Sequence, residues 1–428
     1  MESHIRAEAV VAGEHEEGQR DRHEPNRPRP VAIEAPTTRD KPNILVMIAA
    51  GEVYDHDCVR WYKYVPNINH YHNIGDAFVY DSSLKLLDFD QLEAMDIGTF
   101  TDSDIERFNA EYDYCFLRGS NYINAETNWR RSVELIGRLD MPVIAFGIGA
   151  QAPSKGALSL STDTVRVLSL IADKAKSIGV RGAYTAQVLW DLGIRNVRII
   201  GCPTLFRRND PELRIDLKPF EEIRRVAFTL RREVSATYAE DTARYLDLHR
   251  QIILDLAGRY ELTIEAQGEV EEKKIHWGTP EQKEDAVSAL TASGWFTGAD
   301  DRLLELYRTR LFYSDVVSDY DALMRAMDVA LGFRLHGNLM ALANGIPAIY
   351  FTYDSRTVEF AETFQIPSFD VFAGGEFRLE EYWQQSRFEA FNRTYHQRYR
   401  EMRLFLEENG ITHRMVSDVP KRRTLSAA

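Results

Sequence analysis

The chain has 428 residues, 44% of them apolar and 11% aromatic, and a net charge of −14. That is too long for one ordinary core and too apolar for a disordered protein, so two domains with extensions are expected. The acidic balance excludes a nucleic-acid binder that works by phosphate neutralisation, but not a local pocket for a small anion.

Taken in chain order, residues 1–40 hold no Phe, Trp or Tyr and four of the fifteen prolines, a composition that predicts a disordered leader. An N-terminal domain is expected over 41–206. It opens with a buried strand at Asn43–Ile48, and strand-to-helix junctions recur at Asn73-Ile74-Gly75-Asp76, Arg118-Gly119-Ser120-Asn121, Gly147 to Gln151, Arg181-Gly182 and Gly201-Cys202. Strands alternating with helices predict a parallel sheet. Residues 207–222 read as a linker, and the pattern restarts over 223–378 with a strand at Val226–Leu230. Residues 269–300 fit no pattern. Phe388, Phe391, Tyr395, Tyr399, Met402 and Leu406 keep helical spacing, which predicts an amphipathic C-terminal helix over 379–410 ahead of a tail, 411–428. The expected fold class is α/β: two doubly wound Rossmann-like domains facing a cleft.

Three scattered cysteines, Cys58, Cys115 and Cys202, fit neither a disulfide framework nor zinc spacing and suit a reducing compartment. His56, Asp57, His70 and His72 lack a second cluster to complete a metal site, so no metal is expected. No apolar run reaches the roughly 18 to 20 residues of a membrane span. The N-terminus also lacks a signal-peptide core, which makes the cytoplasm the expected location. The basic Lys421-Arg422-Arg423 leaves open a weak attraction to anionic lipid.

The densest chemistry lies in Asp328 to Tyr353, read as strand, cationic turn, helix from Leu339, and strand. Arg334 and His336, on one face if strand geometry persists, would meet a helix N-terminus and favour an anion, with Gly337 clearing the approach and Asn338 beside it. The bland alternative is a capping arginine and a hydrogen-bonded turn histidine. Arg231 and Arg232 after the 226–230 strand, and Arg181 after Ile178-Gly179-Val180, share the strand-end position. Asp76 is either a helix-start charge or a group that deprotonates an acceptor hydroxyl. Asn73, Gly75, Asn121 and Gln151 fall on the turns of the first domain, where glycines permit close backbone approach. The helix after His336 carries no acidic residue to hold a ribose, which suits a compact anion.

With NIGDA (73–77), LRGSN (117–121), GIGAQ (147–151), VRGAYTAQVLWDLG (180–193), GCPTLF (201–206), FTLRR (228–232), GFRLHGN and NGIP (332–347) in this order, the chain resembles the polysaccharide pyruvyl transferase family. The resemblance implies a fold like that of GT-B glycosyltransferases. It also implies transfer of the enolpyruvyl carbons of phosphoenolpyruvate, a co-substrate rather than a cofactor, onto sugar hydroxyls to form a pyruvate ketal with release of phosphate. Arg334 and Arg231 would then clamp the donor's anionic ends, His336 would bind phosphate and supply a proton, and Asp76 would assist deprotonation. The acceptor would be a glycan or a lipid-linked oligosaccharide. An aromatic insertion, Trp61 to Tyr71, is the expected seat of acceptor choice. A nucleotide-sugar glycosyltransferase and a non-catalytic glycan-binding relative are the rival readings.

Overall fold

In a computed structural model, residues 41–47, 73–95, 97–152, 154–156, 158–234, 239, 241–296 and 301–417 are described. The leader, the 61–71 insertion, the 56–72 histidines and the basic tail lie outside them.

The first half runs β1 (Asn43–Met47), α1 (Ile74–Leu86), β2 (Gln91–Met95), α2 (Asp102–Glu111), β3 (Tyr114–Arg118), α3 (Arg130–Arg138), β4 (Val143–Ile148), α4 (Thr162–Lys174), β5 (Ile178–Val180), α5 (Ala183–Asp191), β6 (Val197–Ile199) and α6 (Pro203–Phe206). The second runs β7 (Arg225–Thr229), α7 (Thr242–Arg259), β8 (Glu261–Glu265), α8 (Val270–Trp277), α9 (Pro280–Ala292), α10 (Arg302–Arg310), β9 (Leu311–Phe312), α11 (Val317–Arg325), β10 (Val329–Gly332), α12 (Leu335–Ala343), β11 (Ala348–Thr352), α13 (Ser355–Phe364), β12 (Ser368–Asp370), α14 (Leu379–Tyr382) and α15 (Gln385–Glu408).

Among the described residues two six-stranded sheets result, ordered β2-β1-β3-β4-β5-β6 and β12-β11-β10-β7-β8-β9, and every pairing between these strands is parallel. Strands such as Asn43–Met47 and Tyr114–Arg118 are buried at every position, as a sheet covered by helices on both faces requires. Each order reverses once, between β1 and β3 and between β7 and β10. Ligands of open parallel sheets bind outside the strand ends at such points.

One apolar core is shared by both halves. It joins Ile44, Phe78 and Phe206 to Leu339, Met340, Phe364 and the C-terminal helix. The predicted helix 379–410 is interrupted at Trp383-Gln384, and its longer part, α15, lies against β6 of the first sheet. There Arg198 binds Glu401 and Glu408, and Phe405 stacks on Phe146 at 5.8 Å. Arg207, wholly buried, joins Asp81 of α1 (2.9 Å) to Asp321 of α11 (2.7 Å). Residues 269–300, which fit no pattern in the sequence, contain the α8–α9 helical pair.

Candidate active site

At the switch point of the second sheet, β10 stops at Gly332, whose φ is +136° and where a Cβ would lie 2.7 Å from the Thr229 carbonyl oxygen. Strand geometry does not persist to Arg334 and His336. Arg334 is instead the N-cap of α12, and His336, Gly337 and Asn338 form its first turn, four residues earlier than the sequence suggested. Opposite, Asn73 caps α1 by accepting from the Gly75 N–H (3.2 Å), with Asp76 in the first turn.

The two helix starts face each other across one narrow cavity of about 40 Å³. Its walls include Asn73, Asp76, Asn121, Arg181, Arg231, Gln267, Arg334, His336 and Arg356. Each arginine is held differently. Arg334 donates from Nε to the Leu230 carbonyl (3.0 Å) and pairs with buried Glu269. Arg181 pairs with Glu359 of α13 (3.2 Å) and donates to Asn121 and to the Ala150 carbonyl (2.6 Å), so it ties the two halves together. Arg356 donates to the Tyr353 hydroxyl (2.7 Å) and lies 3.4 Å from Asp354, while its Nε is buried without a partner. Arg231 has no ion pair among the described residues, and its Nε is likewise buried and unpartnered. The His336 imidazole makes no hydrogen bond to any described residue. Asp76, a third exposed, sits 3.4 Å from Arg118.

Four expected site residues, Asn338, Gln151, Gly337 and Gly75, lie off the cavity wall. Asn338 donates to the Gly332 carbonyl (3.0 Å) and accepts from the Thr229 hydroxyl (3.3 Å), locking the strand end. Gln151 donates to Asp354 (3.2 Å) across the domains, next to the reciprocal bonds of Ala152 and Ser355. At Gly337 the space is taken by Glu265 and Gln267, each 2.9 Å from where a Cβ would be, rather than kept open for a ligand. Gly75 has the same use, since a Cβ there would meet Gln267 Oε1 at 2.6 Å and His336 Nδ1 at 3.1 Å. A Cβ at Gly149 would fall on the Arg181 guanidinium, so this glycine admits a side chain of the protein. Arg232 turns away to bind Glu271 (2.6 Å) and Glu272 (2.7 Å).

A family model for polysaccharide pyruvyl transferases matches residues 46–355. The chain belongs to the polysaccharide pyruvyl transferase family. It is therefore a transferase, and the matched span carries both helix starts and every arginine named above except Arg356, one residue beyond. No curated protein matches closely enough to count as a relative. Among solved structures, a UDP-N-acetylglucosamine 2-epimerase from Rickettsia bellii is similar with 12% identity, TM-score 0.43, and 86% and 96% of the two chains covered. The Methanocaldococcus jannaschii UDP-GlcNAc 2-epimerase gives 10%, 0.39, and 77% and 89%. A putative Listeria monocytogenes UDP-N-acetylglucosamine 2-epimerase gives 10%, 0.39, and 84% and 90%.

Burial sets the protonation states in the transferase's cleft. It pushes His336 down to about 3, with Arg356, Arg181 and Arg118 adding to the push and Asp76 opposing it, so the imidazole is neutral at pH 7. Burial also lifts the Glu265 carboxyl to about 8. Glu269 is held below the usual carboxylate range: burial opposes this, but the Arg334 charge and backbone N–H groups outweigh it. Among the described residues no group of three His, Cys, Asp or Glu side chains could hold a metal ion, and no helix is long and apolar enough to cross a membrane.

Sequence reasoning missed Arg356, Gln267, Glu265, Glu269 and Glu359. Arg356 was within reach, because it follows the readily predicted strand β11, although it lies in the first turn of α13 rather than at the strand end as Arg181 and Arg231 do. The glutamates carried no such signal: Glu359 meets Arg181 from 178 residues away, and Glu269 meets Arg334 from 65.

Proposed function

We propose that this transferase moves the enolpyruvyl carbons of phosphoenolpyruvate onto two hydroxyls of a sugar in a polysaccharide or its lipid-linked precursor. The product is a pyruvate ketal, and phosphate is released. One observation carries the reading: Arg181, Arg231, Arg334, Arg356 and His336 line a single cavity at the switch point, against one carboxylate among the described residues, Asp76. A phosphate and a carboxylate on a three-carbon frame suit that wall. The helix α12 (Leu335–Ala343) carries no acidic residue to hold the ribose of a nucleoside.

Arg334, braced by Glu269 and Leu230, and Arg231, with an unpartnered Nε–H, would grip the two anionic ends. In the free protein His336 is neutral. A polyanion beside it offsets the arginine charges and raises its proton affinity, so donor binding would load the imidazole. The proton then passes to C3, which becomes the methyl group and leaves C2 electron-poor. The first hydroxyl oxygen bonds to C2 and gives its proton toward Asp76. The C2–O bond to phosphate breaks with its electron pair, and the second hydroxyl closes the ketal while its proton leaves with phosphate. Guanidinium groups supply the charge stabilisation, so the reading calls for no metal or other cofactor. A cavity of about 40 Å³ holds only a few waters, so donor entry requires the side-chain walls to part.

The test compares thermal shifts with phosphoenolpyruvate, UDP-sugars and GDP-sugars, followed by phosphate release with glycoside acceptors. Stabilisation by phosphoenolpyruvate and acceptor-dependent phosphate release are expected. Stabilisation by nucleotides alone would mark a nucleotide-sugar glycosyltransferase, and donor binding without release would mark a glycan-binding relative.

A further inference from the structure

Besides Asp76, the cavity wall contains a side chain that turns an oxygen, the wrong kind of group for an anion, toward α1. Gln267, 1% exposed, lies where the domains meet: its backbone carbonyl accepts from the Ile74 N–H at the start of α1 (3.2 Å), and its side chain lines the cavity. Its amide is not free to turn. Nε2 donates to Glu265 Oε1 at 2.7 Å, inside β8's buried end, and Glu265 itself is 0% exposed. With the N–H side committed, Oε1 faces α1, close to the same point above Gly75 as His336 Nδ1. Glu265 Oε2 has no partner although it is buried, a feature that costs stability and calls for an explanation. This orientation requires that a proton taken up by Glu265 sit on Oε2, leaving Oε1 to accept from Gln267.

A carbonyl oxygen repels phosphate and carboxylate but accepts from a hydroxyl. We propose that Gln267 Oε1 holds the incoming sugar hydroxyl beside His336, and that Glu265 is the positioning residue that fixes the orientation of the Gln267 amide. Gln267 Oε1 and His336 Nδ1 meet above Gly75 at the start of α1, on a wall that also carries Asp76, the expected proton acceptor. The assignment rests on the transferase reading and deepens it: Gln267 discriminates on the acceptor, the arginines on the donor. The bareness of Gly337 follows, because any side chain there would displace the Glu265–Gln267 pair.

The experiment measures phosphate release against phosphoenolpyruvate and against a panel of methyl hexopyranosides that present neighbouring hydroxyls, with methyl β-D-galactopyranoside and methyl β-D-glucopyranoside among them. Gln267→Ala is expected to raise the acceptor KM by about tenfold, the value of one hydrogen bond, and to leave the donor KM within about twofold. Glu265→Leu is expected to do the same without touching the acceptor. Glu265→Gln is expected to restore most of the loss, because its amide oxygen still accepts from Gln267 Nε2. An unaltered acceptor KM in Gln267→Ala, or an equal rise in both KM values, overturns the assignment even if Glu265→Leu fails to fold. No release by the wild-type protein with any glycoside overturns the transferase reading itself.

Discussion

Replacing Arg207 by methionine removes the cation that joins α1 to α11. Its guanidinium donates to Asp81 (2.9 Å), Ser82 Oγ (3.0 Å) and Asp321 (2.7 Å), with side-chain exposures of 0%, 5% and 8% for the arginine and the two aspartates. Breaking a buried pair in this way costs about 3–5 kcal/mol, because uncompensated charge stays behind. Asn344 still donates to Asp321 (2.8 Å) and Lys85 stays 3.5 Å from Asp81, so the lower part of that range, about 3–4 kcal/mol, is expected. The pH dependence gives a second check. Burial pushes Asp321 up, but Arg207 and Asn344 hold it below its ordinary value of 3.8. Its contribution to stability is therefore present above that value and lost as pH falls through the depressed one. In the variant the attraction is gone and burial lifts the carboxyl, so the deficit should shrink as pH falls from 7 toward 4. Urea unfolding followed by fluorescence measures both. A loss under about 1 kcal/mol at pH 7, or one that does not shrink in acid, would refute the reasoning, since surface pairs contribute that little.

Phosphoenolpyruvate binding at pH 7 should take up protons, because a polyanion beside His336 favours the imidazolium that burial, and after it the neighbouring arginines, disfavour in the free protein, where the group is held near 3. Titration calorimetry in buffers of different ionisation enthalpy reads this, and His336→Gln should abolish the uptake. Gly337→Ala sets a helix gain of about 1 kcal/mol against overpacking of about 1–3 kcal/mol where a Cβ meets Glu265, Gln267 and Thr229 at 2.9–3.0 Å. The net expectation is a small loss of stability with a clear loss of turnover, and a rise in Tm would count against it. Phe405→Ala, fully buried and stacked on Phe146, should cost about 3–5 kcal/mol by urea unfolding. A cost near zero would mean that α15 does not complete the first domain.

The fully buried strands announced themselves because a parallel sheet covered on both faces writes continuous apolar runs, as in Asn43–Met47 and Ala348–Thr352. Edge strand β2 did not, since only Leu92 and Met95 of Gln91–Met95 are buried. The α8–α9 pair hid for a related reason: α8 buries Glu272 and Lys273 with Ile275, a charged inner face that hydrophobic periodicity cannot detect. At the site, strand-end position found Arg181, Arg231 and Arg334, all on the cavity wall, because topology alone brings strand ends together. It could not tell that Arg181 and Arg334 each carry a buried carboxylate, nor that Asn338 and Gln151 hold backbone and domains. Those facts depend on partners tens to hundreds of residues away. The turn at Gly332, which moves His336 from a strand face to a helix start, was equally invisible, since a glycine does not declare the sign of its φ.

The most direct test of the account is mass spectrometry of a glycoside incubated with the protein and phosphoenolpyruvate. A product heavier by one pyruvate less one water, formed with stoichiometric phosphate and lost in Arg231→Met, is the expected result. A sugar transferred from a nucleotide donor, with phosphoenolpyruvate untouched, would contradict the claim that this cavity serves a small polyanion.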